Sequence, residues 1–139
     1  MLSIPTTNVD DTQATAPEIF GGAVDLSVLA DYEEIQLDGE PDLVVELIDL
    51  YIQDAPRRVA AMHESVARRN WRLLKREAHS LRGSSDSLGA VEVGLICTEI
   101  EGAEFESPGA GINLLLSRLE RGLERALHAF LAERERRTP

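Results

Sequence analysis

The chain has 139 residues, which suits one domain of moderate size with a tail and leaves no comfortable room for two full domains. Leu, Ala, Glu and Arg dominate and aromatic residues make up only 4%, a composition that favours helices. The formal net charge of -11 argues against broad nucleic-acid binding and against attachment to an anionic membrane surface.

The N-terminal segment, residues 1–24, is expected to be a flexible tail because it mixes Thr, Pro, Asp and Gly without a helical or strand period. A role as a tether or docking peptide is the alternative for this segment. Asp25 is a good N-cap for a short helix that reaches about Leu37, where Asp38 and Gly39 provide a stop. This helix is too short to organise a core alone.

The second predicted helix is long and contains a proline. It opens with Pro41 in its first turn and reaches about Arg69. Pro56 removes one backbone donor and crowds the carbonyl four residues earlier, so we expect a bend near residues 53–55. Two separate helices remain possible here.

Three further amphipathic helices complete the chain. Asn70 caps the third helix and Gly89 ends it, the fourth runs from Ala90 to about Glu106, and the last spans about residues 111–136. Four long helices with short connections pack most simply as an up-and-down antiparallel four-helix bundle. We therefore expect an all-α bundle over residues 25–137, with the short first helix added at one end.

His79 stands apart from the other two histidines. It lies ~140° from the centre of its helix's apolar stripe, so its ring is expected to point to solvent. The stretch from Arg68 to Arg82 carries six cations and one acid. Such cations would keep the ring neutral and nucleophilic and would stabilise a dianionic group attached to it, whereas His63 and His128 have no comparable surroundings.

The segment from Ala78 to Ala90, AHSLRGSSDSLGA, resembles the signature of the histidine-containing phosphotransfer (HPt) family, A-H-x-L-K-G-S-S-x-x-L-G-A. Every fixed position matches except the lysine, which is Arg82 here and replaces a compact ammonium with a wider planar fork. The similarity extends over about residues 26–132. It includes the stretches LYIQDAPR, residues 50–57, and ICTEIE, residues 96–101.

This resemblance implies that His79 accepts a phosphoryl group from the aspartate of a receiver domain and passes it to another receiver. Hybrid histidine kinases and response regulators would supply these receivers. The residues that we expect to contact the partner are Arg72, Lys75, Arg76, Arg82, Gly83 and Asp86. Mg²⁺ would belong to the receiver, so we expect no cofactor and no metal site on this chain.

The chain is expected to be a carrier without its own ATP site, because it has no glycine-rich nucleotide loop and no room for a kinase domain. No apolar run approaches the ~20 residues of a membrane span. The single Cys97 cannot form an internal disulfide and has apolar neighbours that suggest burial. We therefore expect a cytoplasmic monomer that binds neither nucleic acid nor membrane.

Three alternatives stay open. The histidine domain of a chemotaxis-type kinase resembles this chain and is phosphorylated by an ATP-binding domain, although the chain's end after Pro139 favours a free shuttle. A helical adaptor that only docks receivers is the second. A metal-binding bundle is the weakest, because His79 is expected to point outward. The sequence does not identify the cognate kinase or regulator, the signal, or the direction of phosphoryl flow.

Overall fold

The computed structural model describes residues 23–104 and 110–139, and every regular element in these ranges is helical. A single 3-10 turn, Leu26–Val28, leads into a short helix and four long ones: α1 (Leu29–Glu34), α2 (Leu43–Ala67), α3 (Trp71–Leu88), α4 (Val91–Gly102) and α5 (Ala110–Arg137). The predicted all-helical fold is therefore confirmed. None of the described helices is long and apolar enough to cross a membrane.

Local capping explains where α2 and α3 begin and end. The Asp42 carboxylate accepts hydrogen bonds from the first backbone N–H groups of α2, so Pro41 lies before the helix rather than in its first turn as predicted. Asn70 caps α3 through a 3.1 Å bond from the Leu73 N–H. Gly89 ends α3 in the left-handed region, with a φ of 85°, as the sequence indicated.

The other helix ends differ from the prediction by a few residues. α1 ends at Glu34 instead of about Leu37, and α4 ends at Gly102 instead of about Glu106. α2 continues through Pro56 as one helix, so the alternative of two separate helices is wrong. Buried residues on both sides of the proline, among them Tyr51 and Val59, keep α2 packed on the core, and this packing offsets the lost backbone hydrogen bond.

Side chains that bridge neighbouring helices show how the bundle is arranged. In each neighbouring pair, the residue numbers of successive contacts increase along one helix and decrease along the other, so neighbouring helices are antiparallel. The bridging pairs are Tyr51–Ser85 and Arg58–Glu77 for α2 and α3, Asp49–Arg134 and His63–Glu120 for α2 and α5, and Glu92–Arg125 and Glu99–Arg118 for α4 and α5. α3 therefore lies diagonally across the bundle from α5.

The core between the four long helices contains one buried polar contact. Tyr51 and Ser85 share a 2.6 Å hydrogen bond, and the Tyr51 ring meets Phe130 edge to face with centroids 5.3 Å apart. Burial raises the pKa of Tyr51 above its usual value, so the hydroxyl stays protonated. Cys97 is buried and has a free thiol, as predicted.

The segment before α1 lies against the junction of α3 and α4. Ala23 and Val24 are buried, and the Asp25 N–H donates to the Gly89 carbonyl at 2.7 Å. Ala23 and Val24, the last two residues of the predicted tail, therefore pack against the bundle, while residues 1–22 of that tail lie outside the described residues. The Tyr32 hydroxyl donates to the Ser87 carbonyl at 2.8 Å and fixes α1 against α3.

Candidate functional site

His79 projects outward from the middle of α3. The buried side of α3 consists of Leu74, Ala78, Leu81, Ser85 and Leu88. His79 lies on the opposite side, and 66% of its side chain is exposed. The orientation predicted from the helical period is confirmed. A partner can therefore reach the imidazole ring without any movement of the bundle.

Glu101 on α4 makes the closest contact with the His79 ring. Its Oε1 lies 2.9 Å from His79 Nδ1, and only 23% of the Glu101 side chain is exposed. The antiparallel packing of α3 and α4 brings these two residues together although they are 22 positions apart. Glu101 lies in the family-like stretch at residues 96–101, and no role for it was predicted from the sequence.

The Glu101 contact fixes which ring nitrogen of His79 carries the hydrogen. A carboxylate can only accept, so Nδ1 must be the donor and Nε2 keeps its lone pair in the neutral ring. Nε2 of His79 has no hydrogen-bond partner in the part of the chain that the structure describes. In the neutral ring, the nucleophilic lone pair is therefore on Nε2, away from the Glu101 contact.

Arg82 lies against both members of this pair. Its Nε is 2.7 Å from Glu101 Oε2, an ion pair whose geometry falls short of a hydrogen bond, and its Nη2 is 3.1 Å from His79 Nδ1. Because Nδ1 already donates to Glu101, the guanidinium contributes charge to the ring's surroundings rather than a second hydrogen bond. The predicted cationic surroundings of His79 therefore also include a carboxylate, because the helix period revealed neighbours on α3 but not Glu101 on α4.

The predicted basic residues on the first turns of α3 differ in exposure. Arg72 and Arg76 are exposed and lie within ~60° of His79 around the helix axis, whereas Lys75 is partly buried. Arg72 and Arg76 have no ion-pair partner among the described residues. Their charges are therefore directed to solvent on the same side of α3 as the ring.

Gly83 and Asp86 occupy different surroundings on α3. A Cβ placed on Gly83, one turn after His79, would meet no atom within 4 Å. The Asp86 carboxylate, in contrast, lies against Gly94 on α4, and a Cβ at Gly94 would displace this side chain. Gly83 therefore leaves open space beside the ring, while Asp86 lies in the seam between α3 and α4.

An open groove of about 560 Å³ runs along the α2 side of α3, beside the face that carries His79. Residues from α1, α2 and α3 line it, including Tyr32, Leu47, Leu50, Ser84, Ser87 and Leu88. Leu50 is 62% exposed, so its side chain is accessible to a partner. The groove adds an apolar surface on the α2 side of α3.

The other two histidines have ordinary surroundings. His63 Nε2 contacts Glu120 Oε2 at 2.8 Å across α2 and α5, and His128 is exposed on α5. Among residues 23–104 and 110–139, no three His, Cys, Asp or Glu side chains form a group that could hold a metal ion.

Comparisons with solved structures find proteins that resemble the fold of this chain. HptB, a histidine-containing phosphotransfer protein from Pseudomonas aeruginosa, is similar with a TM-score of 0.72 and 26% identity, over 84% of this chain and 97% of its own. MtHPt2 from Medicago truncatula, with a TM-score of 0.69 and 22% identity over 83% and 78% of the two chains, supports the fold alone. No curated protein matches the sequence.

The family match covers the elements that build the site. The model of the Hpt domain matches residues 46–132, which include α3 with His79 and α4 with Glu101. This range is more than half of the chain. The chain therefore belongs to the Hpt domain family of histidine-containing phosphotransfer domains.

Proposed function

We propose that this chain carries a phosphoryl group on His79 within a phosphorelay, taking it from an aspartyl phosphate of one receiver domain and handing it to the aspartate of another. The observation that carries this proposal is the exposed imidazole whose Nδ1 is held by Glu101 at 2.9 Å while Nε2 has no hydrogen-bond partner in the described structure. In this tautomer, Nε2 is the ring nitrogen that can act as the nucleophile.

The forward step follows from this tautomer. The Nε2 lone pair of His79 attacks the phosphorus of the aspartyl phosphate, the N–P bond forms, and the P–O bond to the aspartate breaks with release of its carboxylate. The ring gains positive charge while Nδ1 keeps its hydrogen. Glu101 lies where it stabilises that charge, which is electrostatic stabilisation by a preorganised group. Mg²⁺ on the partner receiver would neutralise the phosphoryl oxygens.

The reverse step uses the same arrangement. When a second aspartate attacks the phosphohistidine, the N–P bond electrons return to Nε2, and the ring leaves as neutral imidazole because Nδ1 still carries its hydrogen. Glu101 thus supports the same tautomer in both directions. A carrier needs this balance, because neither the free nor the phosphorylated histidine should be a thermodynamic trap.

The docking face, as we propose it, consists of the exposed side of α3 and the adjoining groove. Leu50 and Tyr32 would supply apolar contact, and Gly83 would leave room for the aspartyl phosphate beside the ring. The residues that we propose as partner contacts are Arg72, Lys75, Arg76, Arg82, Gly83 and Asp86. Of these, Arg82 would act closest to the transferred group because it lies beside His79.

The cellular setting follows from this role. We propose a cytoplasmic monomer in which residues 25–137 form the phosphotransfer domain, and a carrier that relies on its receiver or kinase partner for catalysis. Two alternatives differ in wiring: phosphorylation of His79 by an ATP-binding kinase domain, and docking of receivers without transfer. The test below separates both alternatives from the proposal.

A labelled-transfer assay tests the proposed function. Receiver domains from the same genome, phosphorylated with ³²P, are mixed with the purified protein, and the label on the protein is followed. We expect acid-labile, base-stable label on the wild type and none on His79→Gln with unchanged helix content. The matched controls His63→Gln and His128→Gln should keep full label.

Three outcomes would contradict the proposal. Undiminished label on His79→Gln would exclude His79 as the acceptor. Binding of receivers without any label on the wild type would favour the adaptor. Label that arrives from ATP and a kinase domain, and from no receiver, would favour the chemotaxis-type wiring.

A further inference from the structure

A basic strip extends from the face of His79 to the turn between α2 and α3. We define it by Arg68, Arg69, Arg72 and Arg76, all of which are exposed. Arg68 contacts Glu64 on the surface at 2.8 Å. The other three have no carboxylate partner in the described ranges, although the chain as a whole has a net charge of -11. Three exposed arginines without a carboxylate partner among the described residues are a distinct electrostatic feature of an acidic protein.

Arg69 occupies a backbone position where arginine is unfavourable. The Arg69 N–H donates to the Val66 carbonyl at 3.0 Å and the Asn70 N–H to the Ser65 carbonyl at 2.8 Å, which is the Schellman pattern of a helix end. The residue at its left-handed position is usually glycine, yet Arg69 has a φ of 56° and is the one non-glycine residue with positive φ among the described residues. An exposed arginine thus stands where glycine would be more stable.

The basic strip lies within reach of a partner centred on His79. Arg69 precedes His79 by ten residues, which corresponds to about 15 Å along a helix. A domain of about 100 residues has a radius of gyration of about 13 Å, so a receiver whose aspartate faces His79 would extend to this turn. Charges at that distance do not contact the reacting atoms, so they affect the association rate of the partner.

The opposite end of the docking face has the opposite charge. Residues 25–54, which form α1 and the first half of α2, contain ten acidic and no basic residues. Arg134 and Arg137 from α5 pair with some of these acids, but Asp31, Glu34 and Glu46 are exposed without an ion-pair partner among the described residues. The exposed face therefore runs from positive at the α2–α3 turn to negative at α1.

We infer that the basic strip is a steering surface for an acidic rim beside the aspartate pocket of the receiver, and that Arg69 keeps an unfavourable backbone position to extend it. This inference rests on the proposed function. The two ends of the face have opposite charge, so an acidic rim has one favourable orientation, over the α2–α3 turn. In the reverse orientation, the acids at α1 would repel it.

Substitutions of Arg69 test the inference with opposite effects on stability and association. Arg69→Gly should raise the melting temperature by a few degrees, because glycine adopts a positive φ without strain. The same change should lower the association rate with a receiver that binds the protein about three- to tenfold at low salt, and Arg69→Glu should lower it further. These differences should shrink between about 50 and 300 mM NaCl as screening increases.

The control and the background keep this test separate from phosphoryl transfer. Arg121→Glu makes the same charge change as Arg69→Glu on exposed α5, diagonally across from α3, and should leave association unchanged. Association is measured with His79→Gln protein, so docking is followed without chemistry. The Arg69 variants could associate more slowly while wild-type His79 takes no label. This result would support the steering surface and contradict the proposed transfer. Equal association of wild type, Arg69→Gly and Arg69→Glu, or a lowered melting temperature in Arg69→Gly, would overturn the inference.

Discussion

Removing the Glu101 carboxylate tests the role of the hydrogen bond to His79. In Glu101→Ala, Nδ1 loses its acceptor, so the ring no longer prefers the tautomer with the lone pair on Nε2, and the ring charge that develops during transfer loses its counterion. A hydrogen bond to a charged group contributes about 1.5–3 kcal/mol. The His79 side chain is 66% exposed, so solvent screening favours the lower end of this range. About 1.5 kcal/mol corresponds to roughly a tenfold loss of transfer rate.

The assay combines single-turnover transfer from a phosphorylated receiver with ¹⁵N NMR of the His79 ring. Glu101→Ala should slow transfer and lower the fraction of rings with hydrogen on Nδ1, while Glu101→Gln, which keeps an acceptor oxygen, should lose only about threefold. Glu99→Ala is the matched control, because Glu99 lies on the same helix but pairs with Arg118 at 2.9 Å. Wild-type transfer in Glu101→Ala, or an equal loss in Glu99→Ala, would refute the role of Glu101.

Three further predictions concern access, buried chemistry and acid stability. Gly83→Leu should slow transfer strongly, because its side chain would fill the open space beside the ring. Stability should stay equal or rise, because leucine is the better helix former. Single-turnover rates and melting temperature check the two effects. Burial raises the pKa of Cys97 to about 12, so alkylation at pH 8 should follow only the unfolding of the protein, and rapid alkylation of the native state would contradict this. Burial alone would raise the pKa of Glu133, but hydrogen bonds from Arg136 and Arg137 outweigh it and hold that pKa below 4.5. Glu133 thus stabilises the fold above pH 4.5 and loses this contribution as the pH falls through its lower folded value, so the stability lost by Glu133→Gln in urea unfolding should be larger at pH 7 than at pH 3.

The fold was predictable where local signals agreed with the hydrophobic period. Asn70 and Gly89 delimit α3 as expected, because capping and the left-handed stop are properties of a few adjacent residues. Pro56 was ambiguous, since the sequence does not show how strongly tertiary packing supports the helix around it. The burial of Ala23 and Val24 was not predicted, because their contacts with the α3–α4 junction follow no helical or strand period.

The candidate site was predictable on one helix only. The outward direction of His79 follows from the period of α3, and so does the position of Gly83 beside it. The carboxylate of Glu101 comes from α4, and the register between two helices depends on how their side chains pack, for example on the close approach of Asp86 to Gly94. An antiparallel pairing of α3 and α4 about their tight turn would have placed Glu101 near His79, and this was the usable signal in the sequence.

The position of the phosphoryl group on the imidazole shows which nitrogen of His79 is the nucleophile. The ¹⁵N-labelled protein is phosphorylated by a receiver, and the ³¹P–¹⁵N couplings are recorded under non-acidic conditions that preserve phosphohistidine. We expect a phosphoryl group coupled to Nε2 of His79, with Nδ1 still protonated and hydrogen-bonded to Glu101. A phosphoryl group on Nδ1 of His79, or on any other side chain, would contradict transfer through Nε2.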